Sequence, residues 1–346
     1  MSGEPLGPVN RSVRMIDVAR LADVSQQTVS RVVNGHSNVS PEIRERVELA
    51  IGQLRYRRNA AARALATNRS MNLGVVSFAL SVHGPAWALF GIAEEARRNG
   101  YATSLVSIAD VDRATIRAAL DSLVADAVDG IVVLAPMTAA VEVLRGMDIA
   151  VPIVRFEGGS PASANAVSID EALGAQLATR HLLDLGHETV WHVGGPPGWM
   201  SSEARRRGWL TELSLKRRPV NPEFTTNDWT IESGYHAGLA ISEDSAITAV
   251  LVANDAMALG VMKALKERGI DVPGDVSIVG FDDVSEARYF QPSLTTVRLD
   301  FNEVGRLAVE RVLRLMRGEP AELIPIIQPE LRIRDSSAAP PTLRSA

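Results

Sequence analysis

Cysteine is absent from all 346 residues. Disulfides and thiolate chemistry are therefore excluded, and a reducing cytoplasm is the compartment this composition suits. No apolar run approaches the roughly 18 residues a membrane span requires, so no membrane partner is expected. The opening MSGEPLGPVNRSVRM lacks the apolar core of a secretory signal. The marks of common enzymes are missing as well. His36, His83, His181, His187, His192 and His236 include no HExxH spacing, and there is neither a Walker loop nor GxGxxG. VGGPPG (193–198) is rich in glycine, but its prolines remove amides that a phosphate cradle would use, so it reads as a turn. Asp282-Asp283 has no companion cluster at metal-ligand spacing. No enzyme, cofactor or metal is expected.

What is present is a long chain, 46% hydrophobic, able to build two or three cored domains. Its net charge of −5 hides an asymmetry. Residues 1–70 hold 11 Arg and 6 Asp+Glu, a balance of +5; the other 276 residues carry −10. A basic head on an acidic body suggests that the head alone meets a polyanion.

Three short helices are predicted in the head. Residues 16–23 form the first. Ser25 caps the second, whose Val29, Val32 and Val33 make a buried stripe at i, i+3, i+4 spacing. Asn34-Gly35 ends it. Ser40-Pro41 opens the third, with Ile43, Val47, Ala50, Ile51 and Leu54 on its apolar face. This is a helix-turn-helix pattern. On the second helix, Gln26, Gln27 and Arg31 stand on exposed turns. They can be ordinary solvated residues, or they can read base edges: Gln the N6/N7 edge of adenine, Arg the O6/N7 edge of guanine. Thr28 and Ser30 are short enough to reach phosphates. RRNAAARALATNRS (57–70) reads as a linker that folds only against a partner.

From Leu73 strands and helices alternate. Strands are predicted at 73–80, 103–108, 130–135, 151–156, 166–169, 189–195, 249–254 and 276–281, with helices at 86–99, 113–125, 171–185, 202–214, 232–242, 256–268 and 302–317. Repeated units of this kind give parallel sheets covered on both faces. Some 260 residues exceed one core, so two α/β lobes are expected. Ligand belongs beyond the carboxyl ends of such strands. Asn254 and Asp282 end two of them, and Arg205 follows a third.

The stretches IDVARLADVSQQTVSRVVNG, VSPEIRERVELAIGQLRYRRN and ARALA resemble the DNA-binding head and hinge of the LacI/GalR family of bacterial repressors. HLLDLGHETVWHVGG, AVLVANDAMALGVMKAL and VPGDVSIVGFDDVSEARYFQPSLTTVRLDF resemble its effector-binding core, in the same order. The resemblance spans roughly residues 13–335. It implies an all-α helix-turn-helix head plus an α/β periplasmic-binding-protein-like body of two doubly wound parallel-sheet lobes. The implied division is a disordered tail over 1–12, the helix-turn-helix domain over 13–58 and a hinge helix and linker over 59–70. A two-lobed effector-binding and dimerisation domain follows over 71–335, then a disordered tail over 336–346. The N-lobe takes 71–169 and 300–328; the C-lobe takes 170–299 and 329–335.

Carried over residue by residue, the resemblance assigns operator contact to Ser25, Gln26, Gln27, Thr28, Ser30, Arg31, Asn34, Tyr56, Asn59, Ala62 and Leu65. Leu65, on an otherwise small-residue helix, is of the type that wedges into a minor-groove step or meets its copy in a partner chain. It assigns effector contact to His83, Arg205, Trp229, Asn254, Asp282 and Phe301. Two departures matter. Arg58 replaces the proline that family hinges carry before the hinge asparagine, and the leucine-rich C-terminal helix that makes tetramers in the family is absent, which implies a homodimer. Phe78, Thr138 and Leu299 stand where a sugar-responsive member has polar groups, which implies a drier pocket. The expected protein is a cytoplasmic repressor that releases double-stranded operator DNA when a small saccharide, foremost a galactoside, binds. Rival readings are a nucleobase-corepressed regulator, a soluble sugar-binding protein for transport and a sugar-processing enzyme. The basic head argues against the transport protein.

Overall fold

The Ser25 hydroxyl accepts the Thr28 N–H at 3.1 Å, satisfying one of the orphan donors at a helix start. That cap fixes α2 (Gln26–Val33), which follows α1 (Met15–Leu21) and precedes α3 (Pro41–Leu54). The computed structural model describes residues 13–33, 35, 38–56, 69–159, 163–320 and 322–341. Ser40 caps α3 with proline at its first position. Val18, Val29 and Val47, one from each helix, are fully buried together. Asp23, at φ 51°, makes the turn between α1 and α2, and the Arg46 guanidinium donates to the Ala22 carbonyl to brace that turn against α3.

The head, Met1–Ser70, and the body, Met71–Ala346, are separate compact units. The body opens with β1 (Asn72–Phe78), α4 (His83–Arg98), β2 (Ala102–Ile108), α5 (Arg113–Ala125) and β3 (Gly130–Leu134). Then come α6 (Thr138–Arg145), β4 (Ile153–Phe156), β5 (Ala166–Val167), α7 (Glu171–Asp184), β6 (Trp191–Val193), α8 (Met200–Leu215) and α9 (Ile231–Ile241). It finishes with β7 (Ala249–Val252), α10 (Asp255–Glu267), β8 (Ser277–Asp282), β9 (Thr295–Arg298), α11 (Phe301–Met316) and β10 (Glu330–Arg332). Two five-stranded sheets result, in the orders β2-β1-β3-β4-β5 and β10-β9-β8-β7-β6. All pairings are parallel except that of the edge strand β10, which runs antiparallel to β9. The first sheet belongs to the N-lobe and the second to the C-lobe. In α9 and α10, Gly234 and Gly260 let the two backbones touch: a Cβ on Gly260 would lie 2.1 Å from the Ile231 carbonyl.

The expected tail over 336–346 is corrected where it is described. Ser336 is fully buried, donates to the Ile278 carbonyl at 2.6 Å and accepts the Thr295 N–H at 2.8 Å. The chain there completes backbone bonds that β8 and β9 leave open, which is why a polar segment stays inside. His187, itself fully buried, clamps the same segment. Its Nε2 lies 3.0 Å from the Ala338 carbonyl, which can only accept, and its Nδ1 lies 2.9 Å from the Thr248 hydroxyl.

Burial holds the His187 imidazole below its ordinary pKa, against the opposing pull of the Ala338 carbonyl. The unfolded chain therefore takes a proton more readily than the folded one. The stability this group contributes is complete above about pH 6.5 and is lost as pH falls below it. Calorimetric melting should show a decline between pH 7.5 and 5.5 that is shallower in His187→Asn. An equal decline in both proteins would place the acid-sensitive group elsewhere.

Candidate functional site

In the head, the second helix presents the predicted reading face. Val29 and Val32 turn inward, while Gln26, Gln27 and Arg31 are exposed. Gln27 and Arg31 lie four apart and so share one face. Thr28 is half-buried, and its hydroxyl bonds the Ser25 hydroxyl at 2.9 Å, so both belong first to the helix cap. Tyr56 is half-buried against the head core. Asn34, Asn59, Ala62 and Leu65, with the hinge arginines Arg57, Arg58 and Arg63, lie outside the described residues.

In the body, α8 follows β6 and carries Arg205 into the space between the lobes. Asp282 is the last residue of β8, at φ 108°. Asn254 follows β7 and caps α10, its Oδ1 accepting the Met257 N–H at 2.8 Å. Its Nδ2 donates to the Trp229 carbonyl at 3.2 Å, which fixes the tryptophan segment beside it. Four predicted side chains, Arg205, Trp229, Asn254 and Asp282, thus meet on the C-lobe side, and Phe301 faces them from the N-lobe. They line one cavity together with Val82, Gly84, Pro85, Pro136, Phe156, Glu171, Trp199 and Ser201.

Arg205 is more committed than the sequence suggests. Its Nε donates to Glu171 at 2.8 Å, its Nη2 to Asp282 at 3.2 Å and its Nη1 to the Ala253 carbonyl. Its guanidinium lies 4.1 Å from the Phe281 ring centroid and 5.4 Å from that of Trp229. Burial pushes the carboxyls of Glu171 and Asp282 above their ordinary range, against the pull of Arg205. Burial also works against the Arg205 charge, but the two carboxylates outweigh it and raise its pKa. Behind Asp282, burial pushes Asp255 well above the carboxylate range; it accepts from Thr296 at 2.6 Å and from the Val284 N–H at 2.9 Å. Asp283 pairs with Arg334 at 2.5 Å.

Of the lining residues assigned no role in the sequence, Glu171 and Trp199 carry the most chemistry. Glu171 opens α7, where an acid reads as an ordinary complement to the helix dipole. Trp199 follows the proline-glycine turn and meets Trp229 edge-on, centroids 5.5 Å apart at 81°. Both sit at loop-to-helix junctions near strand ends, which is the signal that could have found them. His83 falls short of the cavity: it packs on Trp87 and Phe301 in an adjoining groove. Phe78, Thr138 and Leu299 do not line the cavity either; its apolar N-lobe wall is built from Val82, Pro85, Pro136, Phe156 and Phe301.

Comparison with known proteins gives this geometry its context. The model for bacterial regulatory proteins of the lacI family matches residues 14–59, and that for the periplasmic binding protein-like domain matches 179–337. The lactose operon repressor of Escherichia coli (strain K12) is 33% identical over 338 residues, 96% of this chain and 92% of that protein. The chain belongs to the LacI family. The HTH-type transcriptional repressor PurR of Glaesserella parasuis serovar 5 (strain SH0165) is 30% identical over 92% of this chain and 97% of its own. A solved lac repressor dimer bound to operator and the anti-inducer ONPF has a TM-score of 0.84 at 32% identity, covering 95% of this chain and 100% of that one. As a LacI-family transcriptional repressor, the chain joins a helix-turn-helix head to a two-lobed, parallel-sheet body. No helix among its described residues is long and apolar enough to cross a membrane.

Proposed function

We propose that this repressor holds operator DNA as a homodimer and releases it when a small saccharide, with galactosides the first candidates, enters the cleft between its lobes. One observation carries the reading: a buried polar knot of Arg205, Glu171 and Asp282 faces aromatic walls of Trp199, Trp229 and Phe301. A sugar ring offers hydroxyls at its rim and C–H groups on its faces, and the cavity has a partner for each. Of the five N–H donors of a guanidinium, three are used by protein groups, leaving two for hydroxyls. Trp229 Nε1 is buried with no protein partner and can donate a further bond. Trp199 and Trp229, set edge-to-face, offer apolar surface to the C–H face of a sugar ring. On the operator side, Gln26, Gln27 and Arg31 read bases from α2. Trp87 and Phe90, 43% and 55% exposed and paired at 5.7 Å, support a dimer contact on α4.

A thermal-shift screen of monosaccharides, galactosides and nucleobases against the full chain tests the reading. Sugars should raise the melting temperature. A rise with guanine or hypoxanthine alone would replace the inducer with a nucleobase corepressor.

A further inference from the structure

We infer that Glu171 makes the cleft selective for uncharged effectors and excludes phosphorylated and carboxylated sugars. The inference rests on the cleft reading above and narrows its ligand class. Arg205 is the one cationic side chain among the residues lining the cavity, and two carboxylates, Glu171 and Asp282, line it with the arginine. Asp282 alone would balance the guanidinium; Glu171 adds an excess of negative charge. All three are at least 93% buried, with Glu171 2%, Arg205 5% and Asp282 7% exposed. Arginine captures an anion by a two-pronged fork. Here Glu171 occupies the Nε edge, at 2.8 Å, and Asp282 takes Nη2, at 3.2 Å. The Ala253 carbonyl takes Nη1, and Phe281 covers a face of the guanidinium. An incoming phosphate or carboxylate would find the Nε and Nη2 positions already engaged by two acids, in a medium that screens their charge poorly. Burial raises the pKa of both acids against the pull of Arg205, and a proton on either one would cancel the excess charge without freeing any cation. A hydroxyl asks for none of this: it donates to a carboxylate oxygen and accepts from a spare guanidinium N–H.

Calorimetric titration of the full chain with matched probes tests the inference: methyl β-galactoside, galacturonate and galactose 6-phosphate, and the three corresponding forms of glucose. The wild type should bind a neutral member at least about 100-fold more tightly than its acid or phosphate, the scale that like-charge contact sets. Glu171→Gln, close in shape and uncharged, should narrow the ratio to within about tenfold. Glu171→Met serves the same purpose if the glutamine variant fails to fold. Wild-type binding of an anionic form within about tenfold of its neutral partner overturns the inference but leaves the cleft reading standing. A ratio unchanged by either substitution overturns the assignment to Glu171. Silence of every probe on the wild type, with an anion bound by the Glu171 variant, supports the inference and moves the effector outside these sugars. Silence on both proteins overturns the inference, because removing the charge at position 171 then admits no anion, and leaves the saccharide reading to the thermal-shift screen.

Discussion

Arg205→Ala should lower the stability of the body by about 3–5 kcal/mol, the usual cost of stripping one partner from a buried ion pair. It should also abolish the response to effector. The substitution leaves the Glu171 and Asp282 side chains, 3% and 6% exposed, without their counter-ion. Arg205 is what restrains the rise of both carboxyl pKa values. Its removal lifts them further, so the folded protein binds protons more tightly than the unfolded chain. The deficit should therefore be largest at neutral pH and shrink as pH falls toward the ordinary carboxyl range. Denaturant titration at pH 7.5 and at pH 5 measures both parts. Arg205→Lys should recover some stability, because a charge returns, but not the effector response, because an ammonium cannot span two carboxylates and a carbonyl as the planar fork does. An alanine variant as stable as wild type at both pH values would mean the knot is not ionised as drawn.

Arg31→Ala should weaken specific operator binding by about 1–3 kcal/mol per half-site, and so by roughly 30-fold or more for a dimer on two half-sites. The loss should be confined to one base pair in each half-site, where discrimination against other bases collapses. Arg31 is exposed on α2, one turn beyond Gln27, and Val29 and Val32 anchor the opposite face in the head core. Arg55→Ala is the contrast. That exposed residue ends α3, and its loss should weaken all sequences alike and reduce the salt slope by about 1. Binding to a randomised-site library at two salt concentrations separates the two signatures. An Arg31→Ala base-preference profile identical to wild type would put the reading face elsewhere on the head.

The head and most of the body were legible because their signals are local. Ser25 and Ser40 cap the helices they precede, and the valines of α2 fall at helical spacing. The runs that became β3 and β7 are fully buried apolar strands bounded by turns. What escaped is polar and buried. β9 reads Thr-Thr-Val-Arg; two of its threonines are fully buried, their hydroxyls held by Asp255 and Ser337, so no hydrophobic period announces it. α6 has only eight residues and no side-chain cap. The segment at Ser336 looks like a polar tail until Ile278 and Thr295 are seen to need it. In the cleft, strand-end logic placed Asn254 and Asp282. The tie between Glu171 and Arg205 joins positions 34 residues apart, and nothing local reports it.

The most direct test of the central claim is operator affinity of the full chain, measured with and without a saturating amount of the sugar that most raises its melting temperature. A ligand moves this equilibrium only through its differential affinity for the two states. The sugar should weaken operator binding by about 5- to 150-fold, the range of ordinary allosteric coupling, and by linkage operator should weaken sugar binding by the same factor. A sugar that binds the cleft yet leaves operator affinity unchanged, or tightens it, would contradict release by a saccharide inducer.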